Sequence, residues 1–297
     1  MNHKPLGRTG IDISAISYGG IVSAGFYDNA SYPDLDQSAS DRFVGYAVDH
    51  GVNYFDVAPS YGNAQAQLGS SLQPYRQRVH LACKTGRRDR ARAEAELMDS
   101  LKLLRTDHFD VYQLHAISSM KDVETAFAPG GVMELMREVK EKGIAAHIGF
   151  TAHSEDAALK MIELYDFDTV LFPFNWFMHM AHGMGARLIK AARARNMGVL
   201  CMKAFIERKW ESAEERAASP FPKSWCKPID IADEAFGMAA MRYALSLGVD
   251  TLIPPGNFDS FQFAVEHIDA CLKEPYAAED QRLLETRLAA VKGKEFF

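Results

Sequence analysis

Short apolar runs alternate with amphipathic segments from one end of this chain to the other. Each apolar run has the length of a strand and leads into a polar or Gly/Pro loop, after which apolar positions recur with helical spacing. Strands that alternate with helices predict right-handed crossovers and a parallel sheet. The predicted strands end near Gly19, Asp56, Lys84, His115, Phe150, Asn175, Lys203 and Pro254, and the predicted helices include Ser40–His50, Ala91–Leu104, Val132–Lys142, Glu155–Tyr165, Met184–Arg195 and Ile231–Leu247.

Eight strand–helix units in 297 residues fit a closed (β/α)8 TIM barrel of the α/β class better than an open sheet. No Pro-, Gly- or Ser-rich linker divides the chain, so residues 1–297 are interpreted as one domain. Leu6–Ile13 precedes the first unit and predicts a short β-hairpin around Gly10 that covers the barrel floor. The residues after Ala270 predict one extra C-terminal helix outside the repeat.

Polar side chains follow three consecutive predicted strands, and strand parity indicates where they point. Side chains on a barrel strand alternate between the interior and the helix layer. Asp56, Lys84 and His115 each lie on the face opposite to their apolar neighbours, so we expect them to point inward at the C-terminal ends of the strands. Barrel enzymes build their sites at that end. The apolar neighbours are Phe55, Val57, Val79, Leu81, Cys83, Tyr112 and Leu114.

Tyr61 follows Asp56 by five residues in a Pro/Gly loop. Taken singly, each of these polar residues has an ordinary structural explanation. An aspartate can cap a turn, a tyrosine can pack its ring, a lysine can extend from a strand end to solvent, and a histidine can be hydrogen-bonded within the protein. Together they predict a site in which Asp56 orients Lys84 and the Lys84 ammonium lowers the pKa of Tyr61. Tyr61 then donates a proton, and His115 a hydrogen bond, to a carbonyl oxygen that gains negative charge during hydride attack.

The hydride for such a reaction must come from a cofactor. No Gly-x-Gly-x-x-Gly motif follows a predicted strand, so a Rossmann-type dinucleotide site is not indicated. Barrels can bind phosphate at the loops after their last strands. Pro254–Asn257 leads from the last predicted strand into a helix and therefore predicts a phosphate site there.

Composition and charge exclude several other classes of protein. The chain is 47% apolar and 24% charged, as globular proteins are, and its net charge of −6 disfavours nucleic acid as a partner. Four dispersed cysteines disfavour a disulfide framework, a zinc site or an iron–sulfur cluster, and His179 and His182 lack further ligands nearby, so no metal is predicted. The absence of a leader-like N-terminus and of an apolar run of ~18 residues predicts a cytoplasmic protein without a membrane partner.

Several segments resemble the aldo/keto reductase family along nearly the whole chain. Residues 5–20 resemble the opening of the family, and Phe55–Gly69 resembles its most specific motif. Lys84 and the His115 of Tyr-Gln-Leu-His complete the family's Asp/Tyr/Lys/His tetrad, and residues 143–151 resemble its fifth-strand segment. The resemblance implies the same barrel and an NADPH-dependent reduction of an aldehyde or ketone, with the reverse oxidation.

The same resemblance implies where the cofactor binds, with three departures from the family pattern. Thr151-Ala152 stands where Ser-Asn is usual, Met202 replaces a stacking aromatic ring, and 257–260 lacks the basic residue that would bind a 2′-phosphate. Asp259 would repel that phosphate, while Lys203 is expected to compensate in part at the pyrophosphate. NADP is preferred on family grounds, and NAD remains an alternative. The implied cofactor residues are Gly20, Thr151, Asn175, Met202, Lys203, Gly256, Asn257, Gln262 and Glu266.

Two alternatives to a carbonyl reductase stay open at this point. One is a nucleotide-binding regulatory or sensor protein on the same fold with little catalytic activity; the other is a barrel enzyme that uses metal-activated water. The expected partner is a small carbonyl compound, and the chain is expected to be a monomer or a small homo-oligomer. Five loop aromatics either form an apolar wall for an apolar or aromatic substrate or only pack the loops: Trp176, Phe177, Trp210, Phe221 and Trp225.

Overall fold

The computed structural model describes residues 1–295. Its strands, in chain order, are β1 (His3–Pro5), β2 (Asp12–Ser14), β3 (Tyr18–Gly19), β4 (Phe26–Tyr27), β5 (Ala30–Ser31), β6 (Tyr54–Asp56), β7 (His80–Thr85), β8 (Phe109–Ile117), β9 (Ala145–Ala152), β10 (Thr169–Phe172), β11 (Gly198–Met202), β12 (Ile206–Arg208), β13 (Lys227–Pro228) and β14 (Thr251–Ile253). Its α-helices are α1 (Gln37–Asp49), α2 (Ala64–Ser71), α3 (Arg90–Leu104), α4 (Met120–Phe127), α5 (Val132–Glu141), α6 (Glu155–Leu164), α7 (Trp176–His182), α8 (Ala186–Ala194), α9 (Ala213–Ala218), α10 (Glu234–Ser246), α11 (Phe258–Lys273) and α12 (Ala278–Val291).

Eight of the strands form one parallel sheet, in the order β3-β6-β7-β8-β9-β10-β11-β14. The sheet closes between its first and last strands, where Ile16 bridges Leu252 and the N–H of Ser17 donates to the Leu252 carbonyl at 2.9 Å. The hydroxyls of Ser17 and Thr251 also hydrogen-bond at 2.7 Å. The predicted (β/α)8 barrel is therefore confirmed.

The barrel interior holds an apolar cluster that tests the predicted strand parity. Tyr54, Ala82 and Val111 belong to this inner cluster, and each shares a strand face with a predicted site residue. Phe55, Leu81, Cys83, Tyr112 and Leu114 instead belong to the larger cluster between the sheet and the helices. The alternation read from the sequence therefore gives the correct direction for these strands.

A hairpin precedes the barrel, as predicted, but its paired strands are β1 and β2, so Leu6–Ile13 is largely the connecting loop. Gly7 and Gly10 have φ angles of 51° and 76°, a conformation that favours glycine, and this places the turn between them. Leu6 packs beside Gly198 at the start of β11 and belongs to the inner cluster. The hairpin therefore covers the N-terminal end of the barrel.

The extra C-terminal helix exists, but it begins later than predicted. Ala270 lies inside α11, whose buried Ile268 and Cys271 continue the apolar stripe of that helix to its last turn. Pro275 lies two residues after the end of α11. Because proline cannot continue a helix, it separates the two helices, and α12 starts only at Ala278. Across residues 1–295, no helix has the length and apolarity that crossing a membrane requires.

Two excursions extend from the C-terminal end of the barrel and meet above it. One contains β4 and β5; the other, which we call the covering segment, comprises residues 204–230 and contains β12, α9 and β13. Arg216 of the covering segment pairs with Asp28 at 3.0 Å, and the Trp225 ring stacks on Tyr27 with centroids 6.2 Å apart. The space between the barrel and these excursions is a cleft.

Candidate active site

The cleft brings together three of the four predicted catalytic residues, Asp56, Tyr61 and His115. It opens at the C-terminal ends of the barrel strands, where the parity argument places them. The fourth, Lys84, is fully buried beneath the cleft. The remaining lining residues are Gly19, Ile21, Tyr27, His153, Met202, Lys203, Ile206, Lys223, Ser224, Trp225, Cys226, Ile253, Pro254, Pro255 and Gly256.

Lys84 and Asp56 form an ion pair at the base of the site. The Lys84 ammonium donates to Asp56 Oδ2 and to the Val57 carbonyl, the latter at 3.2 Å. Burial is the largest single influence on the pKa of Lys84 and lowers it, but the charge and hydrogen bond of Asp56 together with the nearby Tyr61 outweigh burial, and the pKa is raised. Lys84 therefore stays protonated at neutral pH.

Gln113 is a member of the site that the sequence did not identify. Its Nε2 donates to Asp56 Oδ1 at 2.8 Å, so that both oxygens of the buried carboxylate are engaged. Gln113 shares an inward strand face with His115, and this shared parity was the signal available in the sequence. Gln113 fixes the orientation of the carboxylate that in turn holds Lys84.

Tyr61 lies next to this ion pair, with the Lys84 ammonium 5.2 Å from the centroid of its ring. Burial raises the pKa of Tyr61 above its ordinary value of 10.0, and the charge and hydrogen bond of Lys84 only partly oppose this effect. The predicted direction of the Lys84 contribution is thus right, but the net shift is upward because desolvation is larger. Tyr61 consequently keeps its proton at neutral pH and can donate it.

His115 meets Tyr61 edge-on, with ring centroids 5.8 Å apart and an interplanar angle of 84°. Burial lowers the pKa of His115 well below 6.5, and the nearby charge of Lys84 lowers it further. The imidazole is therefore neutral at physiological pH. A neutral imidazole carries one N–H donor, which is what hydrogen bonding to a substrate carbonyl oxygen requires.

Three of the residues that the resemblance implies for cofactor binding line the cleft: Met202, Lys203 and Gly256. Burial lowers the pKa of Lys203 to about 8. Gly20 lies between two lining residues, and a Cβ added to it would come within 2.7 Å of Val57. The backbone at Gly20 is therefore in contact with the barrel wall, without space for a side chain.

The start of α11 has the features of a phosphate site. Asn257 caps the helix by accepting from the N–H of Ser260 at 2.8 Å. Its Nδ2 and the Ser260 hydroxyl are buried and have no hydrogen-bond partner within residues 1–295, which is costly unless a ligand supplies one. A Cβ added to Gly256 would lie 2.4 Å from the Ile21 side chain, so a larger residue here would force Ile21 or the turn to shift. The residues present therefore fit the phosphates of a dinucleotide at a helix N-terminus.

Asn175 is fully buried and its side chain is used within the protein. Its Oδ1 caps α7 by accepting from Phe177 and Met178, at 2.9 and 3.2 Å. Its Nδ2 donates to the carbonyls of Lys203 and Ile206, both at 2.8 Å. Asn175 thus anchors the start of the covering segment in this conformation.

Thr151 is also buried, and its hydroxyl accepts from the N–H of Ala116 at 2.7 Å. His153 follows two residues later and lines the cleft, although the sequence did not single it out. Burial and the charge of Lys203 lower the pKa of His153 to about 3, so its ring is neutral. The end of β9 therefore presents His153 to the cleft.

Gln262 and Glu266 lie farther along α11, on its outer side. Gln262 donates to Glu266 at 2.7 Å, and the Tyr46 hydroxyl of α1 donates to the same carboxylate at 3.4 Å. Both residues therefore lie in the groove between α1 and α11, beyond the residues that line the cleft.

Of the five loop aromatics that could form an apolar wall or pack the loops, one, Trp225, lines the cleft. It does so together with Tyr27, which the sequence did not single out. Trp176 and Phe177 instead lie in α7 and pack in a separate apolar cluster with Phe236 of α10. The cleft is therefore aromatic on the side formed by the two excursions.

The two histidines considered as metal ligands have other contacts. His179 hydrogen-bonds the Tyr243 hydroxyl at 2.6 Å, and His182 lies 3.5 Å from Glu295. Within the described part of the chain, no group of three or more His, Cys, Asp or Glu side chains is arranged to hold a metal ion.

The chain is similar in sequence and in structure to several known proteins. Aldo-keto reductase YhdN of Bacillus subtilis is 28% identical over 191 residues, covering 60% of this chain and 55% of that protein. The match therefore spans little more than half of this relative's length. The holo form of the aldo-keto reductase AKR11C1 from Bacillus halodurans has a TM-score of 0.70 at 18% identity, covering 97% of this chain and 96% of its own.

A second solved structure, the glycerol dehydrogenase AKR11B4 of Gluconobacter oxydans, has a TM-score of 0.67 at 20% identity and covers 97% of this chain and 95% of its own. At these identities the two structures show that the fold is shared. The sequence profile described as Aldo/keto reductase family matches residues 23–252, most of the chain. The resemblance read from the motifs is thereby confirmed, and the chain belongs to the aldo/keto reductase family.

Proposed function

We propose that this protein reduces an aldehyde or ketone to an alcohol with NAD(P)H as the hydride donor. The observation that carries the proposal is the position of Tyr61 in the cleft, beside the buried Lys84–Asp56 pair and edge-on to a neutral His115. In this arrangement the only change required of the protein is the movement of one proton from Tyr61. Family membership supports an oxidoreductase activity.

The roles of the catalytic residues follow from their charge states. A reduced nicotinamide, when bound, supplies the hydride and with it both electrons. The neutral imidazole of His115 donates a hydrogen bond to the carbonyl oxygen, which gains negative charge as the reaction proceeds. Tyr61 protonates that oxygen, Lys84 stabilises the phenolate left on Tyr61, and solvent returns the proton afterwards.

The cofactor residues are proposed at three places. The start of α11, at Gly256 and Asn257, holds phosphate, and Lys203 offers a cation to the same anionic ligand. Gly20 and Met202 border the nicotinamide side of the cleft. Thr151 and Asn175 contribute by holding the backbone, while Gln262 and Glu266 remain the proposed adenine end.

The preferred nucleotide is NADP on family grounds, and NAD is the alternative. Asp259 lies exposed in the first turn of α11, where its charge opposes the binding of a 2′-phosphate. The proposed substrate is a small carbonyl compound that packs against the aromatic pair Tyr27 and Trp225. Residues 1–297 are proposed to act as one catalytic domain.

The test measures turnover of a panel of carbonyl compounds, including a nitrobenzaldehyde, with NADPH and with NADH. Oxidation of the nucleotide is the readout. Tyr61→Phe should lower kcat by about 10²- to 10⁴-fold, the usual contribution of a positioned proton donor, while nucleotide still binds. Tyr75→Phe, outside the cleft, is the matched control and should keep wild-type kcat. Tight nucleotide binding without Tyr61-dependent turnover would contradict the proposal and favour a regulatory or sensor protein.

A further inference from the structure

The strand that carries His115 contains a bulge at that residue. In the pairing of β8 with β9, Leu114 is opposite Phe150 and Ile117 is opposite Ala152, so three steps on β8 match two on β9. Leu114 and Ile117 both pack in the outer apolar cluster, which strict alternation along the strand would not allow. One extra residue is therefore inserted in β8, and such bulges commonly redirect a side chain beside an active site.

The backbone at the bulge is in an unfavourable conformation. Ala116 has a φ angle of 55°, in the left-handed region where a Cβ crowds the backbone. A residue without glycine's freedom keeps such a conformation only when its surroundings hold it there. The contacts that hold Ala116 are therefore contacts that determine where His115 points.

Three side chains make those contacts: Arg88 and Thr151 from opposite sides of the bulge, and Ser118, whose hydroxyl donates to the Ala116 carbonyl at 3.2 Å. The Nη2 of Arg88 donates to the carbonyls of His115 and Ala116, at 2.7 and 3.0 Å. The N–H of Ala116 donates to the Thr151 hydroxyl at 2.7 Å. A bulge removes backbone groups from the ladder, and here side chains satisfy them instead.

Arg88 is itself firmly held. Its side chain is 15% exposed, its Nε donates to Asp122 at 3.2 Å, and its Nη1 donates to the Gly86 carbonyl at 3.3 Å. Arg88 therefore links the loop after β7, which follows Lys84, to the backbone of His115. The planar guanidinium presents its donors in a fixed geometry, which makes it suited to holding two adjacent carbonyls.

We propose that Arg88 is a positioning residue for His115: its guanidinium, with the Thr151 hydroxyl, clamps the bulge at Ala116 and so fixes the imidazole edge-on to Tyr61. The effect on rate rests on the proposed function, whereas the effect on the position of His115 does not. The competing interpretation is that Arg88 only braces the loops before α3 and α4 through Asp122.

The first experiment compares Arg88→Met with Arg87→Met. The neighbouring Arg87 side chain is 51% exposed and pairs with Glu96, so it is the control. Misplacing His115 should lower kcat by about 10- to 100-fold in Arg88→Met, since a displacement of about 1 Å can cost this much. The dissociation constant for nucleotide should stay at its wild-type value. Arg87→Met should leave kcat unchanged, and an equal loss in both variants would overturn the proposal.

Asp122→Asn separates clamping from bracing, because it removes the ion pair of Arg88, keeps one side-chain oxygen for the N–H groups of Ser118 and Ser119, and leaves the Arg88 bonds to the bulge. Wild-type kcat in Asp122→Asn supports the clamp, and a loss as large as that of Arg88→Met would overturn it. The double variant Arg88→Met/Ala116→Gly should regain part of the lost kcat, because glycine adopts the left-handed conformation without strain. Arg88→Met should cost no further activity in a His115→Ala background, and additive losses would contradict action through His115.

A measurement that needs no turnover keeps the two proposals distinguishable. Diethyl pyrocarbonate modification of His115, followed by mass spectrometry, should be slow in the wild type and several-fold faster in Arg88→Met. Thr151→Val should raise the rate as well, and this variant serves if Arg88→Met does not fold. Absence of turnover in the wild type would count against the proposed function only, while an unchanged modification rate in folded variants would overturn the clamp.

Discussion

The ammonium of Lys84 and the carboxylate of Asp56 form an ion pair whose side chains are 0% and 3% exposed. Removing two charges from water is costly, so such a pair contributes little to stability as a whole, but each partner depends strongly on the other. Gln113 and the Val57 carbonyl satisfy further groups of the pair. The pair therefore serves chiefly to hold a fixed positive charge beside Tyr61.

Lys84→Met should strongly destabilise the protein, because it leaves the Asp56 carboxylate buried without a counter-charge. A loss of about 3–5 kcal/mol in the free energy of unfolding is expected for one missing partner of a buried pair. The double variant Lys84→Met/Asp56→Leu should recover part of this loss. Urea denaturation measures both, and a double variant less stable than the single one would contradict the account.

Gln113→Met should remove the hydrogen bond to Asp56 Oδ1 while nearly preserving side-chain volume. Because a hydrogen bond to a charged group contributes about 1.5–3 kcal/mol, a loss of that size in the free energy of unfolding is expected. We also expect a lower kcat with unchanged nucleotide affinity, because the charge beside Tyr61 is less well held. Wild-type stability and kcat in Gln113→Met would show that the bond is dispensable.

Gly256→Ala should weaken nucleotide binding, because the new Cβ would lie 2.4 Å from Cγ2 of Ile21 and force the phosphate turn to shift. Overpacking of this kind costs about 1–3 kcal/mol of stability. Ile21→Ala in the same chain should restore much of both properties by removing the clashing atom. Fluorescence titration with NADPH and NADH measures the affinity, and equal affinity in Gly256→Ala would remove the turn from the proposed phosphate site.

Stability should depend on pH through Lys223 of the covering segment, whose ammonium donates to the carbonyls of Val22 and Ala24. Burial lowers the pKa of Lys223 from 10.5 to about 7. Below about pH 7 both the folded and unfolded forms are protonated, and the cost of burying the charge is fully present. Between about pH 7 and 10.5 only the unfolded form holds the proton, so wild-type stability should rise relative to Lys223→Met.

Thermal unfolding of the wild type and Lys223→Met across this range measures the difference. A stability difference that stays constant from around pH 6 to around pH 10 would contradict the lowered pKa. Lys209→Met, an exposed lysine of the same segment, is the matched control and should show no such trend.

Asp259→Lys should shift the preference between nucleotides toward NADPH. The residue lies in the first turn of α11, and reversing its charge replaces repulsion of a 2′-phosphate with attraction. The ratio of the dissociation constants for NADH and NADPH should rise by about two- to fivefold, the range of an exposed ion pair. Raising the ionic strength should diminish the change, and a ratio that does not move would place the 2′-phosphate elsewhere.

The barrel and the direction of its polar side chains were largely readable from the sequence. Strand–helix alternation and the two-residue period of a strand are local properties, so they can be recognised from the sequence alone. They gave the strand order and the inward direction of Asp56, Lys84 and His115, which the structure confirms. The positions of Tyr61 after Asp56 and of Pro254–Asn257 after the last strand were readable in the same way, and the family resemblance added the other cofactor residues.

Tertiary structure alone decided how these groups behave. The pKa of Tyr61 is raised because desolvation exceeds the effect of Lys84, and a balance between burial and charge depends on every atom around the group. Asn175 is fully used in capping α7 and holding the covering segment, contacts between residues distant in sequence. The bulge at Ala116 breaks the alternation that sequence reasoning assumes, and side chains on other elements, Arg88 and Thr151, hydrogen-bond its backbone. The sequence by itself thus determined which chemical groups meet at the C-terminal end of the barrel. Tertiary packing determined the protonation states and the orientations of their side chains.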